Sequence, residues 1–301
     1  MSLFYLQYLH HPSLESRGGE CYNSPLESHF TPHYLLRLRP MRTRQKKGLS
    51  MPLFSPTGIL ARATYRLVRG GVKLFYPPIR LAGWENVPDA PCFLVGNHCQ
   101  MNGPIIAELY IPGNRAIWCA GKMMHLKDVP AYAYRDFWSN KPKWQRPFYK
   151  LLSYLIAPIS VSVFNNAHTI PVYHDSRSIT TFRHTVSAIA EGKKVVIFPE
   201  HDADFNHILC QFQDKFVDVG KLCYKRTGNV PAFVPMYLAP DLKTAYFGKP
   251  IPYPTELDTA EARKAVCDYL KEEITRLAVE APPHTVVPYR NLPRKTYPHN
   301  I

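Results

Sequence analysis

Apolar positions along this chain fall either at helical spacing or in short strand-like runs, and the changes between the two outline its elements. From Gly58 to Tyr76, apolar residues (Ile59, Leu60, Leu67, Val68, Val72, Leu74, Phe75) alternate with Arg62, Arg66, Arg69 and Lys73, and no acid occurs before Glu85. That pattern predicts a basic amphipathic helix, bent at Gly70-Gly71, of the kind that lies on an anionic membrane or turns a cationic face outward in an ordinary domain. Short apolar runs at Ile79–Ala82, Cys92–Val95 and Ala116–Cys119 read as strands, with a helix from Pro104 between the last two. Ser178 to Gly192 carries Ile179, Phe182, Val186 and Ile189 at helical spacing, stops on glycine, and leads into a strand at Lys194–Phe198. Further helices are expected at Asp214–Tyr224 and from a capping box at Asp258-Thr259-Ala260-Glu261 to about Val279, with strands at Ala232–Tyr237 and Thr244–Phe247.

Strands alternating with helices predict a single α/β domain, a central, mostly parallel or mixed sheet flanked by helices. The organisation expected is a leader at 1–50, a basic amphipathic membrane-surface region at 51–78, the catalytic-type domain at 79–280 and an irregular tail at 281–301. The leader carries no helical or strand period, is dotted with His, Pro and Ser, and ends in a basic run from Arg37 to Lys47. It reads as disordered and dispensable, with Met51 an alternative start. Between Trp138 and Phe164 the aromatic residues Trp144, Phe148 and Tyr149 interleave with Lys141, Lys143, Arg146 and Lys150 before an apolar stretch from Leu151 to Phe164. This mixture suits a bilayer headgroup boundary or a buried helix, and the stretch falls short of the roughly 20 residues that a spanning helix needs.

Composition narrows the partners. With 37 Lys and Arg against 23 Asp and Glu, the net charge is +14, which attracts phosphate groups of lipid, nucleic acid or substrate alike. Basic residues beside apolar ones favour a membrane surface, and no nucleic-acid motif is visible. The seven cysteines are scattered without a C-x-x-C pair, as expected of a reduced, intracellular protein.

Two strand-like runs end on polar side chains, Phe93 to Gly96 on Asn97-His98 and Val195 to Phe198 on Pro199-Glu200-His201. In open α/β sheets ligands bind at such strand ends. The order and spacing resemble the lysophospholipid (glycerolipid) acyltransferase family, whose first motif is N-H-x-x-x-x-D and whose third is F-P-E-G. Its second motif, I-P-V-D-R, is similar to Ile170-Pro171-Val172-Tyr173-His174. The fourth resembles Val234-Pro235-Met236, and Gly248 to Ile251 matches a later element. The resemblance spans Arg80 to Ile251.

The resemblance implies transfer of a fatty acyl chain from acyl-CoA or acyl carrier protein to the hydroxyl of a lysophospholipid-like acceptor, with lysophosphatidic acid foremost. The setting implied is phospholipid synthesis at the cytoplasmic face of a membrane, as a peripheral or monotopic protein, without metal or redox cofactor. By resemblance His98 is the general base, and its ordinary pKa near 6.5 suits that work at neutral pH. The family's orienting aspartate falls on Gly103, so Asn102, through its amide oxygen, is the expected substitute, with Glu200 or Asp202 as alternative sources of charge. Asn97, Gly103, Pro199, Glu200, Lys122 and Arg177 are the expected substrate-side residues. Arg177 stands three positions beyond the place of the family's phosphate-binding arginine.

The alternative is a relative that kept the lipid-binding surface and lost turnover with the aspartate. His201, Asp202, Asp204 and His207 are compatible with a metal, but substrate contact or helix capping is the expectation for that loop. Cys99 is not expected to be a nucleophile, because adjacent side chains on an extended segment point apart.

Overall fold

The computed structural model describes residues 55–138, 141–290 and 292–301, and at 202–204 the backbone only. The leader and its basic run therefore lie outside the described residues.

The described residues form an α/β domain with a central mixed, mostly parallel sheet flanked by helices. Helix α1 (Ile59–Phe75) runs through Gly70-Gly71 without a break. Strands β1 (Arg80–Ala82) and β2 (Phe93–Gly96), helix α2 (Asn102–Tyr110) and strand β3 (Arg115–Ala120) follow. A short helix α3 (Val129–Ala133) and a long helix α4 (Arg146–Asn166) then precede β4 (Thr169–Val172), α5 (Ser178–Ala190) and β5 (Lys194–Ile197). The chain continues through β6 (Glu200–Phe205), β7 (Cys210–Phe212), α6 (Asp218–Thr227), β8 (Ala232–Ala239), β9 (Thr244–Phe247), β10 (Ile251–Pro252) and α7 (Thr259–Glu280). The capping box that opens α7 is formed, with Asp258 accepting from the Ala260 and Glu261 N–H groups.

The sheet order is β1-β9-β8-β2-β5-β3-β4, with β10 antiparallel to β8 and β6-β7 a separate hairpin. Strands β8, β2, β5, β3 and β4 all run parallel, which brings their carboxyl ends to one edge. Alternation within the buried strands supplies both faces. Phe93 and Val95 of β2 join Val195, Ile197, Phe233, Leu270 and Ile274 on the side of α5, α6 and α7. Leu94 joins Val196, Val234, Met236 and Ile106 on the side of α2. Strands this apolar on both faces are what a covered parallel sheet requires.

Helix α4 is longer than its apolar stretch suggested, and the segment Lys143–Asn166 is long and apolar enough by length and composition to cross a membrane. It continues through Pro158, whose missing N–H and steric conflict usually cost about 3 kcal/mol in a helix interior. Packing offsets this: Ala157 and Val161 are buried with Met123, Val129, Ala133 and Trp138, and α1 lies alongside. The outward side stays apolar, with Trp144, Phe148, Leu151, Tyr154, Leu155 and Ile159 exposed. Helix α1 adds Leu67 and Leu74, each 78% exposed, and Phe75.

Glu108 of α2 ties α1 to the domain. It accepts hydrogen bonds from Tyr65 Oη at 2.6 Å and Arg69 Nε at 3.0 Å, and also contacts His168 and Arg115. Burial alone pushes its carboxyl upward, but the bonds from His168 and Tyr65 and the cations of Arg115 and Arg69 outweigh that and carry it down to about 2.

Candidate active site

Because β2 and β5 are adjacent and parallel, the loops that follow them leave the sheet side by side. The β2 loop turns sharply. Cys99 and Gln100 both hold positive φ, 48° and 56°, a conformation that side chains other than glycine adopt only when their surroundings enforce it. Asn97 supplies much of that enforcement. It is buried, its Oδ1 accepts the Leu238 N–H at 2.7 Å and its Nδ2 donates to the Leu238 carbonyl at 3.1 Å, so a side chain continues the ladder to β8 where β2 stops. The Asn97 amide thus faces main chain and not the edge where substrate would sit.

Glu200 secures the turn from the other strand end. The His98 N–H donates to Glu200 Oε2 at 2.5 Å and the Cys210 N–H donates to Oε1 at 2.8 Å. Burial pushes this carboxyl up to about 7, against the lowering effect of those two N–H groups. Glu200 therefore holds the His98 backbone and β7, and makes no hydrogen bond to the imidazole. Pro199, buried before it, accepts the Gln213 N–H at 2.9 Å through its carbonyl.

The His98 ring lies between aromatic neighbours. Phe198 is 5.4 Å away centroid to centroid at 68°, and Tyr289 of the C-terminal segment 5.7 Å away at 89°. Burial lowers the imidazole to about 4, with a main-chain interaction at Gln100 working slightly the other way. The ring is thus neutral at neutral pH, and its buried Nδ1 has no partner of hydrogen-bond geometry among the described residues.

Asn102 does not orient that nitrogen. Its Oδ1 accepts the Tyr76 hydroxyl at 2.8 Å and its Nδ2 donates to the Cys99 carbonyl at 3.1 Å, because α2 begins at Asn102 and draws the side chain back over the turn. Gly103 lies where no side chain fits. Its N–H donates to the His98 carbonyl at 3.1 Å, and a Cβ there would sit 2.4 Å from that carbonyl oxygen and 3.1 Å from Phe198 Cε1. The motif's aspartate is thus excluded by the packing of this loop.

Arg177 and Lys122 stand farther along the same edge, Arg177 at the N-cap of α5 after β4 and Lys122 in a 3-10 turn, Gly121–Met124, after β3. Arg177 is in a two-point ion pair with Asp175, 2.7 Å at its shortest, and its guanidinium sits 4.2 Å above the Tyr173 ring. Hydrogen bonds from Arg177, helped by the nearby Lys122 charge, hold Asp175 down to about 2. Neither cation has a hydrogen bond or ion pair to His98 or Glu200 among the described residues. Gly121 allows this arrangement, since a Cβ would strike the Tyr173 ring at 2.4 Å.

The Cys99 thiol is buried and directed to the Leu238 carbonyl at 3.3 Å, and burial, with Glu200 nearby, raises it well above its ordinary range. The segment is a left-handed turn and not the extended one expected, so Cys99 is set apart from His98 by this turn and its thiol's burial and not by strand alternation. The segment expected as a loop from His201 to His207 runs through β6 into a turn, with His207 at positive φ. No group of three metal-binding side chains occurs among the described residues, a set that does not include the side chains of Asp202 and Asp204. Tyr76, Cys210, Gln100 and Tyr289 were not foreseen. Only Tyr76 carried any signal, as an aromatic at the end of the amphipathic helix.

No family model matches the chain, and no curated protein does. Among solved structures, it is similar to the 1-acyl-sn-glycerophosphate (LPA) acyltransferase PlsC from Thermotoga maritima, with a TM-score of 0.40 and 14% identity over 74% of this chain and 81% of that one.

Proposed function

We propose that this protein is a divergent member of the lysophospholipid acyltransferase family, moving a fatty acyl chain from acyl-CoA or acyl carrier protein to a lysophospholipid-like alcohol at a membrane surface. The observation that carries the proposal is the convergence of the N-H and F-P-E elements on one sheet edge, joined by the 2.5 Å bond from the His98 N–H to Glu200. The imidazole at that edge is neutral at neutral pH and so able to accept a proton, as a weaker base than an ordinary histidine because burial lowers its pKa. The acceptor oxygen attacks the thioester carbonyl as His98 takes its proton; the carbon–sulfur bond then breaks and the departing thiolate receives that proton. Ester and free thiol are the products, and no acyl-enzyme forms.

Glu200 acts in this scheme through the backbone, by fixing the turn that presents His98. The acceptor's phosphate would meet Lys122 and Arg177, with Arg177 exchanging Asp175 for the ligand. Exposed apolar residues of α1 and α4, flanked by Arg62, Arg66, Lys73, Lys143, Arg146 and Lys150, suit an anionic bilayer in which both acceptor and product reside. The test supplies purified protein with long-chain acyl thioesters and vesicles bearing a panel of lysolipids, and follows free thiol. Acceptor-dependent thiol release supports the proposal. Its absence with every acceptor refutes it in favour of the lipid-binding relative without turnover, which the unpartnered Nδ1 of His98 also suits.

A further inference from the structure

The segment after α7 has little regular structure, yet it is closed on itself and fastened to the domain. His284 is buried, its Nε2 sharing a 2.7 Å hydrogen bond with the Tyr237 hydroxyl, and its N–H donates to Asn300 Oδ1 at 2.9 Å. Asn300 in turn donates to the carbonyls of Ala278 and Ala281 at the end of α7. Thr285 bridges to His299, the Val286 N–H donates to the Pro298 carbonyl, and the Thr285 N–H reaches Asp241 beyond β8. The chain between these closures forms a loop carrying Tyr289, Arg290 and Tyr297.

That loop meets the His98 turn at two places. The Gln100 amide donates to the Arg290 carbonyl at 3.0 Å and lies 2.8 Å from the Tyr297 hydroxyl, which holds one of the two residues at positive φ. The Tyr289 ring stands almost perpendicular to the His98 ring, opposite in sequence origin to Phe198, which also packs on it. We infer that the C-terminal loop is a positioning element for His98, its Tyr289 ring performing the orienting task of the aspartate that Gly103 cannot supply. For catalysis this rests on the acyl-transfer proposal. Two aromatic neighbours restrict rotation of the imidazole, and, unlike a carboxylate, they add no charge that would stabilise imidazolium.

Among the described residues, titratable groups that face this turn include Glu200 of β6, Cys99 of the turn itself, Tyr297 against Gln100, and Tyr289, whose charge would also act on Tyr132 of α3. The experiment compares the full-length parent with Tyr289→Ala and Tyr289→Phe. In acyl transfer, Tyr289→Ala is expected to lower kcat at least tenfold with the KM for lysolipid unchanged within about twofold, and Tyr289→Phe to restore the parent's rate. Independently of turnover, imidazole NMR should show His98 titrating well below ordinary histidine in the parent and in Tyr289→Phe, and nearer 6.5 in Tyr289→Ala. The His284 signals should not change. If Tyr289→Ala fails to fold, Tyr289→Ser, which likewise opens the ring's place to water, takes its place. An unchanged His98 titration in the alanine or serine variant overturns the inference, as does a phenylalanine variant as impaired as the alanine one. A parent without acyl transfer would refute the proposed function while the NMR comparison still decides whether Tyr289 orients His98.

Discussion

Restoring the motif aspartate by Gly103→Asp is predicted to damage this protein. The new Cβ would lie 2.4 Å from the His98 carbonyl oxygen, about 1 Å inside ordinary contact, and the atom it strikes is backbone and cannot rotate away. Overpacking of this kind costs about 1–3 kcal/mol, and loss of the Gly103 N–H bond to the same carbonyl adds about 1 kcal/mol, for a total near 2–4 kcal/mol. For a domain of this size that lowers the melting temperature by roughly 5–15 °C. Gly103→Ala is the control. It presents the same Cβ without the carboxylate, so it should lose nearly as much, less the gain of about 1 kcal/mol from alanine's better helix propensity. Thermal unfolding of the three proteins, with acyl transfer measured in parallel, separates the possibilities. A Gly103→Asp protein as stable as the parent and faster in turnover would refute the reasoning.

The two ionisable groups of the site should oppose each other with pH. Glu200, raised from 4.5 to about 7, adds stability that is full below about 4.5 and lost as pH rises through 7; His98, lowered from 6.5 to about 4, adds stability that is full above 6.5 and lost as pH falls through 4. Glu200→Gln should therefore lose about 2–3 kcal/mol between pH 6.5 and 4.5 and His98→Gln gain a similar amount, read from urea midpoints, and profiles parallel to the parent's would contradict this. Asn97→Ala strands the buried Leu238 N–H and should lower stability by about 2–3 kcal/mol in denaturant titration; a loss under 0.5 kcal/mol would remove Asn97 as the staple of the turn. Replacing Arg62, Arg66 and Lys73 with glutamate should abolish flotation with anionic vesicles, each lost cation weakening attachment by about 1 kcal/mol, and flotation equal to the parent's would exclude α1 as the docking face.

The α/β class was legible because short continuous apolar runs alternate along the chain with stretches of helical period, and the meeting of His98 with Glu200 was legible because each stands just past an apolar run. Contacts that join distant parts of the chain were not. Nothing local marks Tyr289, in a proline-rich tail without period, as a neighbour of His98, and Asn102 was assigned to the imidazole because its spacing does not show that Tyr76 takes its oxygen. The β6-β7 hairpin was missed because His201 and Asp202 read as loop. Helix α4 was cut short at its apolar stretch because its first turns are aromatic and basic, and its passage through Pro158 depends on packing that the sequence does not display.

The most direct test of the central claim is acceptor-dependent acyl transfer by the parent and by His98→Ala, in one preparation, with thermal unfolding as the check that both are folded. A general base of this kind contributes about 10²- to 10⁴-fold, so the variant should lose about a thousandfold in rate while unfolding cooperatively. Turnover by His98→Ala within tenfold of the parent's would contradict the assignment of His98 as the base.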